Sequence, residues 1–188
     1  PAAGGNRKVW KDMADDGAVG EGFNPAADDP RRFRDALGAF ATGVCIVTTG
    51  SGTGGRTGPV GITANSFSSL SLDPPLVLWS PARASRRFAA FARARYYAVH
   101  VLAADQFALA RHFALDGLDF ALPGVITSAE DVPLLPGCLA RFECRQEAVH
   151  DGGDHALIVG RVLRATSRAG LPLVFSAGRY GGFLPEAG

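Results

Sequence analysis

The sequence predicts a mainly β fold, a small antiparallel barrel with helices at its ends. Three observations carry this. β-Branched and apolar runs of strand length recur along the chain, as in Val44-Cys45-Ile46-Val47-Thr48-Thr49. The tetrapeptide Asp151-Gly152-Gly153-Asp154 is a strong hairpin turn between two long strand-like segments. Only a few stretches have helical spacing, and each is short.

Taken in order, residues 1–28 hold Gly4, Gly5, Gly17, Gly20 and Gly22, with only Val9, Trp10, Met13 and Phe23 as anchors. A loosely held extension is expected there, with the folded domain over residues 29–188. Asp29-Pro30 is a helix start, Asp as the cap and Pro in the first turn. Phe33, Leu37 and Phe40 then make an apolar face, and Gly43 is expected to end the helix. Strands follow at 44–49 and 60–64, around a Gly-rich loop at 50–58. Further strands are expected at 76–80 and 96–102, with a helix at 85–95 between them on the spacing of Phe88 and Phe91. Another helix is expected over 105–115, burying Phe107, Leu109 and Phe113 or a rotation of that set. Residues 139–149 and 156–165 form the hairpin, and 173–176 the last strand.

The bulk numbers exclude some functions. The 188 residues are 47% hydrophobic and 20% charged, ordinary for a single globular domain. Nineteen basic residues against 18 acidic ones leave a net charge of +1, so no electrostatic case exists for nucleic acid or an anionic membrane. No run approaches the ~20 apolar residues of a membrane span, and the first residues lack a signal-peptide core. Cys45, Cys138 and Cys144 are odd in number and irregular in spacing, which points to buried reduced thiols and a cytoplasmic location. His100, His112, His150 and His155 show no zinc-site spacing, so no metal is expected. A lone histidine is more often packed or solvated than catalytic. His155 stands out because it lies at the mouth of the hairpin.

Two motifs need weighing. Gly50-Ser51-Gly52-Thr53-Gly54-Gly55 matches a dinucleotide fingerprint, but that fingerprint must open a helix. Here Arg56-Thr57-Gly58-Pro59 and a strand follow, so it reads as a hairpin loop. No G-x-S-x-G elbow is present. The segment 61–80 is different: Thr63, Asn65, Ser66, Ser68, Ser69 and Ser71 crowd short hydrogen-bonding groups between two strands. It is either a solvated loop or a wall of small donors and acceptors. The edge of an isoalloxazine ring wants such neutral, fixed partners. Ser80-Pro81-Ala82-Arg83-Ala84-Ser85-Arg86 offers hydroxyls, cations and a helix start to a phosphate.

These residues together resemble a known family. Leu37-Gly38-Ala39-Phe40-Ala41-Thr42-Gly43-Val44, Thr63-Ala64-Asn65-Ser66-Phe67 and Ser71-Leu72-Asp73-Pro74-Pro75-Leu76-Val77 are similar to segments of the short-chain flavin reductases. So are Phe142-Glu143-Cys144, Gly153-Asp154-His155, Gly160-Arg161-Val162 and Pro172-Leu173-Val174-Phe175. The likeness runs over about residues 31–183, in the family's order and spacing. It implies an FMN-binding split β-barrel, antiparallel and Greek-key-like, that forms a homodimer. It also implies NADH or NADPH as the reductant of FMN or FAD, with reduced flavin passed to a partner flavin monooxygenase. By position, Thr63, Ala64, Asn65 and Ser66, joined by Ser69, would line the flavin. Ser80, Ser85 and Arg86 would hold its phosphate, and His155 would sit where the nicotinamide docks. Arg179 and Tyr180 would cover the flavin or simply close the barrel. Two alternatives stay open: a split-barrel enzyme that retains FMN and acts on another small molecule, or a non-enzymatic flavin- or haem-binding module.

Overall fold

A computed structural model describes residues 22–27, 29–52, 55 and 57–186. The expected extension over 1–28 therefore lies largely outside the described residues, as does part of the Gly-rich loop. Contacts divide the chain into two units, Pro1–Leu37 and Gly38–Gly188.

Helix α1 (Pro30–Gly38), all but its last residue in the first unit, begins as its sequence predicts. The Asp29 carboxylate accepts the Arg31 N–H at 2.9 Å, satisfying one of the first-turn donors. The Arg32 guanidinium sits 4.9 Å from the centre of the Phe23 ring.

The second unit carries the strands. In chain order they are β1 (Thr42–Gly43), β2 (Cys45–Thr49), β3 (Val60–Ala64), β4 (Ser68–Ser71), β5 (Leu76–Trp79) and β6 (Tyr96–Val101), with helix α2 (Phe88–Ala92) between β5 and β6. A 3-10 turn at Ala104–Gln106 leads into α3 (Phe107–Leu115). Then come β7 (Ile126–Thr127), β8 (Pro133–Leu134), β9 (Ala140–Gly152), β10 (His155–Ser167), β11 (Leu173–Ser176) and β12 (Arg179–Gly182). Seven of the strands form one antiparallel sheet in the order β3-β2-β6-β9-β10-β5-β4, while β1-β11-β12 and β7-β8 make smaller sheets.

The order has a geometric consequence. β3 and β4 are consecutive, joined only by residues 65–67, yet they lie at opposite edges of the seven-stranded sheet. Laid flat, those edges would be about 29 Å apart, six gaps of about 4.8 Å. The connection from Ala64 to Ser68 spans at most about 14 Å. The sheet must therefore curl until its edges approach, giving a barrel with one unpaired seam between β3 and β4. Residues 65–67 bridge that seam.

β2 shows how the barrel is filled. All five of its residues are buried. Cys45 and Val47 point into the barrel with Val60, Val77, Trp79, Phe91, Tyr97, Val99 and Ile158. Ile46, together with neighbouring Val44, faces the opposite way, against Ala110 and Phe113 of α3, Leu102, Leu135 and Leu173. A strand buried on both faces loses the alternation of a half-exposed one and reads as a continuous apolar run. Trp79 meets Phe91 edge-on with centroids 5.0 Å apart. Gly160 lies so close to Tyr97 that a Cβ there would come within 2.0 Å of the phenol oxygen.

The predicted elements differ from the structure in several places. α1 ends at Gly38 rather than Gly43, because the Gly38 carbonyl accepts the Ala177 N–H at 2.8 Å and Thr42–Gly43 pair with Phe175 and Val174. The serine-rich segment includes a true edge strand, β4, in a hairpin with β5. α2 is five residues, shorter than the 85–95 expected, since residues 83–87 form turns. α3 buries Ala110 and Phe113 but leaves Phe107 exposed, and a further strand, β12, follows β11.

His100 is a packed histidine. It is fully buried, its Nδ1–H donates to the Ile46 carbonyl at 3.1 Å, and Nε2 accepts the Leu135 N–H at 3.1 Å. Burial pushes its pKa down to about 3. The unfolded imidazole titrates near about 6.5. Between those values the unfolded chain binds the extra proton, so stability is lost as pH falls through that window and not above it. The urea midpoint is expected to be lower at pH 5 than at pH 7, while ring-nitrogen NMR still shows a neutral His100 at pH 5. A protonated His100 signal at pH 5 would contradict this.

Candidate flavin site

The seam of the barrel opens onto a small, solvent-open cleft lined by Val44, Thr63, Ala64, Asn65, Phe175 and Tyr180. Thr63, next to the end of β3, donates its hydroxyl to the Ala110 carbonyl of α3 at 2.7 Å. Its oxygen keeps only acceptor capacity toward a ligand. Asn65, the first bridging residue, is exposed and makes no side-chain hydrogen bond among the described residues, so its amide is available as both donor and acceptor. On the far side, Tyr180 of β12 packs between Phe107 and Phe175, each 5.0 Å away centre to centre. Tyr180 thus faces the Thr63–Asn65 wall, whereas Arg179 stays exposed on β12.

Ser66 is committed to the protein. Its Oγ accepts the Ser80 N–H at 2.9 Å and donates to the Ser80 carbonyl at 3.1 Å. This reciprocal pair clamps the middle of the seam crossing to the exit of β5. Ser66 therefore positions the wall, while the half-buried Ser80 keeps its own hydroxyl free. Ser69 lies exposed on edge strand β4.

The segment after Ser80 sorts its three arginines into different tasks. Arg87 donates to the Phe113, Leu115 and Ala114 carbonyls at 2.6, 3.0 and 3.4 Å, closing the C-terminus of α3. Burial lowers its pKa, partly offset by Asp116. Arg83 donates to Asp151 at 2.6 Å and to the Gly153 carbonyl at 3.1 Å. Arg86 is exposed and has no hydrogen bond or ion pair among the described residues. Ser85 accepts the Arg87 N–H at 3.2 Å and retains its hydroxyl proton. Because α2 starts only at Phe88, this segment offers an anion hydroxyls and the Arg86 guanidinium rather than a helix end.

His155 opens β10. Its Nδ1 lies 2.7 Å from the Asp154 carboxylate, and that hydrogen bond holds the Asp154 pKa below the usual range. It does not line the Thr63–Asn65 cleft. It is docked instead on the segment after Ser80: Ala82 and His155 form a β-bridge, Ala156 N–H donates to the Pro81 carbonyl at 3.1 Å, and Arg83 N–H donates to the Asp154 carbonyl at 2.8 Å. The Ser66–Ser80 clamp ties the seam crossing to this segment, and these bonds tie the segment to His155.

The structure adds Val44 and Phe175 to the predicted wall, Phe107 as a support for Tyr180, and Arg83 and Arg87 as structural arginines. An apolar residue facing a cleft looks the same in sequence as one facing a core, so only strand register could have placed Val44 and Phe175. No His/Cys/Asp/Glu cluster able to hold a metal occurs among the described residues. No helix among them is long and apolar enough to cross a membrane.

Comparison with known proteins agrees with this geometry. The flavin reductase like domain profile matches residues 37–183. The chain is 53% identical over 161 residues to "FMN reductase (NADH) SmoA" of Agrobacterium fabrum, covering 86% of this chain and 90% of that one. It is 42% identical to the flavin-dependent monooxygenase reductase subunit HsaB of Rhodococcus jostii, covering 93% and 87%. The NADH:FAD oxidoreductase SgcE6 of Streptomyces globisporus, solved with NAD and FAD fragments, superposes with a TM-score of 0.80 at 37% identity, over 89% of this chain and 99% of that one. The protein belongs to the flavin reductase like domain family.

Proposed function

We propose that this protein is an NAD(P)H:flavin oxidoreductase that supplies reduced FMN or FAD to a partner flavin-dependent monooxygenase. The observation that carries this is the neutral cleft wall at Thr63, Ala64 and Asn65, which the Ser66–Ser80 clamp ties to the segment bearing Ser85 and Arg86. A wall of neutral donors and acceptors fits a heterocycle edge, and hydroxyls beside an arginine fit a phosphate. The names of SmoA, HsaB and SgcE6 support the same chemistry, and two of them specify NADH.

When bound, the flavin accepts hydride from the nicotinamide, and the chain's residues supply position more than acid–base chemistry. Asn65 and the backbone around it hold the polar edge of the ring system. Tyr180, wedged between two aromatic rings, presents an apolar flank opposite that wall, and Arg179 beside it extends the cover. Ser80, Ser85 and Arg86 hold the phosphate. His155, its Nδ1–H turned toward Asp154, leaves Nε2 to orient the carboxamide. The cleft is open and Asn65 is exposed, which favours exchange of flavin with solvent over permanent retention.

A second copy of the chain completes the working unit in this proposal. Leu70 of β4 and Leu157 and Leu163 of β10 are exposed at 48%, 39% and 42%, providing apolar surface for a homodimer. The three free cysteines are compatible with a cytoplasmic enzyme.

The test is NADH and NADPH oxidation by the purified protein with FMN, FAD or no flavin. Turnover is expected to depend on added flavin, and dialysis is expected to leave the protein colourless. Turnover without added flavin, with a retained yellow colour, would favour a tightly held cofactor and a different acceptor. Arg86→Ala is expected to raise the flavin KM by roughly 10- to 100-fold, the worth of a charge-assisted hydrogen bond. Arg86→Lys should recover most of it. An unchanged flavin KM in Arg86→Ala would remove this residue from the phosphate site.

A further inference from the structure

Arg83, like Arg87, is an arginine that the proposed phosphate site does not use, and its hydrogen bonds all converge on one place. Its guanidinium donates to the Asp151 carboxylate at 2.6 Å and the Gly153 carbonyl at 3.1 Å, and lies 5.5 Å from the centre of the Phe88 ring. Its backbone N–H donates to the Asp154 carbonyl at 2.8 Å, and one residue pair further on Ala156 N–H donates to Pro81 at 3.1 Å. Every one of these bonds joins the segment after Ser80 to the tip of the β9–β10 hairpin. That tip turns through Gly153 at φ 74° and carries Asp154 and His155.

We propose that Arg83 is a positioning residue that latches the hairpin tip to the flavin-phosphate segment and so sets where His155 meets the nicotinamide. The inference rests on the role proposed for His155. Its logic is one of magnitudes. The Arg83–Asp151 pair is exposed, with 43% and 81% of the two side chains accessible, and such a pair adds little to global stability. Yet a hairpin tip held by a few bonds moves freely when half of them are lost. A misplacement of about 1 Å in a hydride-transfer site costs up to roughly 100-fold in rate. Arg83 should therefore matter much more to NADH use than to folding. It should matter little to flavin affinity, because its guanidinium already has partners and does not face the phosphate hydroxyls as a free cation.

The experiment compares full-length wild type with Arg83→Ala, Arg83→Lys, Asp151→Asn and the Arg83→Ala/Asp151→Asn double variant. Steady-state kinetics with NADH, FMN titration, thermal midpoint and amide hydrogen exchange over residues 151–156 are read on each. Arg83→Ala is expected to raise the NADH KM or lower kcat by roughly 5- to 20-fold, with FMN affinity within about twofold of wild type. Exchange at the Ala156 amide should speed up while the thermal midpoint hardly moves. Asp151→Asn should act in the same direction but less, and the double variant should be no worse than Arg83→Ala, as for two partners of one interaction. Arg83→Lys, which keeps charge but loses the two-pronged geometry, should fall between.

Unchanged NADH kinetics together with unchanged exchange at 151–156 would overturn the latch. A loss of FMN affinity equal to the loss in NADH use would also overturn it, by making Arg83 a phosphate ligand. Wild type that oxidises no reduced nicotinamide with any flavin would count against the proposed function, while the exchange result would still decide whether Arg83 fastens the tip.

Discussion

The short crossing from β3 to β4 is the constraint on which the rest of the structure depends. Three residues must carry the chain between opposite edges of a seven-stranded sheet, and a peptide that short can do so only if the sheet is rolled up. The seam cannot close completely, because the bridging residues occupy it. Their backbone and side chains therefore end up lining an opening in an otherwise packed barrel. Barrel closure and a polar wall are two results of one short connection. The reciprocal Ser66–Ser80 bonds then fix how that connection lies against β5.

Helix α3 serves as the common support behind the wall. Thr63 reaches its Ala110 carbonyl, Arg87 caps its last three carbonyls, and Gly61 N–H donates to Gly117 just beyond it at 2.7 Å. A side chain at Gly117 would collide with the Gly61 carbonyl and the Arg87 guanidinium, so only glycine permits that approach. These bonds use up the groups best able to serve structure. Among the described residues, the Asn65 side chain, the Ser80 hydroxyl and the Arg86 guanidinium are left without hydrogen-bond partners, and these are groups suited to a ligand with a polar edge and a phosphate.

Much of this was legible in the sequence, for physical reasons that differ by element. The Asp151–Asp154 turn and the β-branched run of β2 carry strong local signals, and both elements appear where they were read. β4 was hidden because Ser68, Ser69 and Ser71 have weak strand preference; pairing with β5 overrides it. α1 was read too long because apolar spacing continues through Phe40, whereas Gly38 and the pairing of Thr42 end the helix. Among the site residues, short polar side chains between two strands indicated a wall. They could not reveal that Ser66 spends its hydroxyl on Ser80. Nor does the string Arg83-Ala84-Ser85-Arg86-Arg87 say which arginine is free, since that depends on hairpin and helix ends about 30 to 70 positions away.

The central claim is that the clamped seam crossing forms the flavin-binding wall. Equilibrium titration of FMN fluorescence against wild type and Ser66→Ala tests it most directly, with the thermal midpoint read alongside. Removing the hydroxyl leaves the Ser80 backbone groups without their partner and frees the crossing. Saturable quenching by wild type is expected, with an affinity weakened by roughly tenfold in Ser66→Ala while the barrel still unfolds cooperatively. Wild type that quenches nothing, or a variant that binds FMN as tightly as wild type, would contradict it.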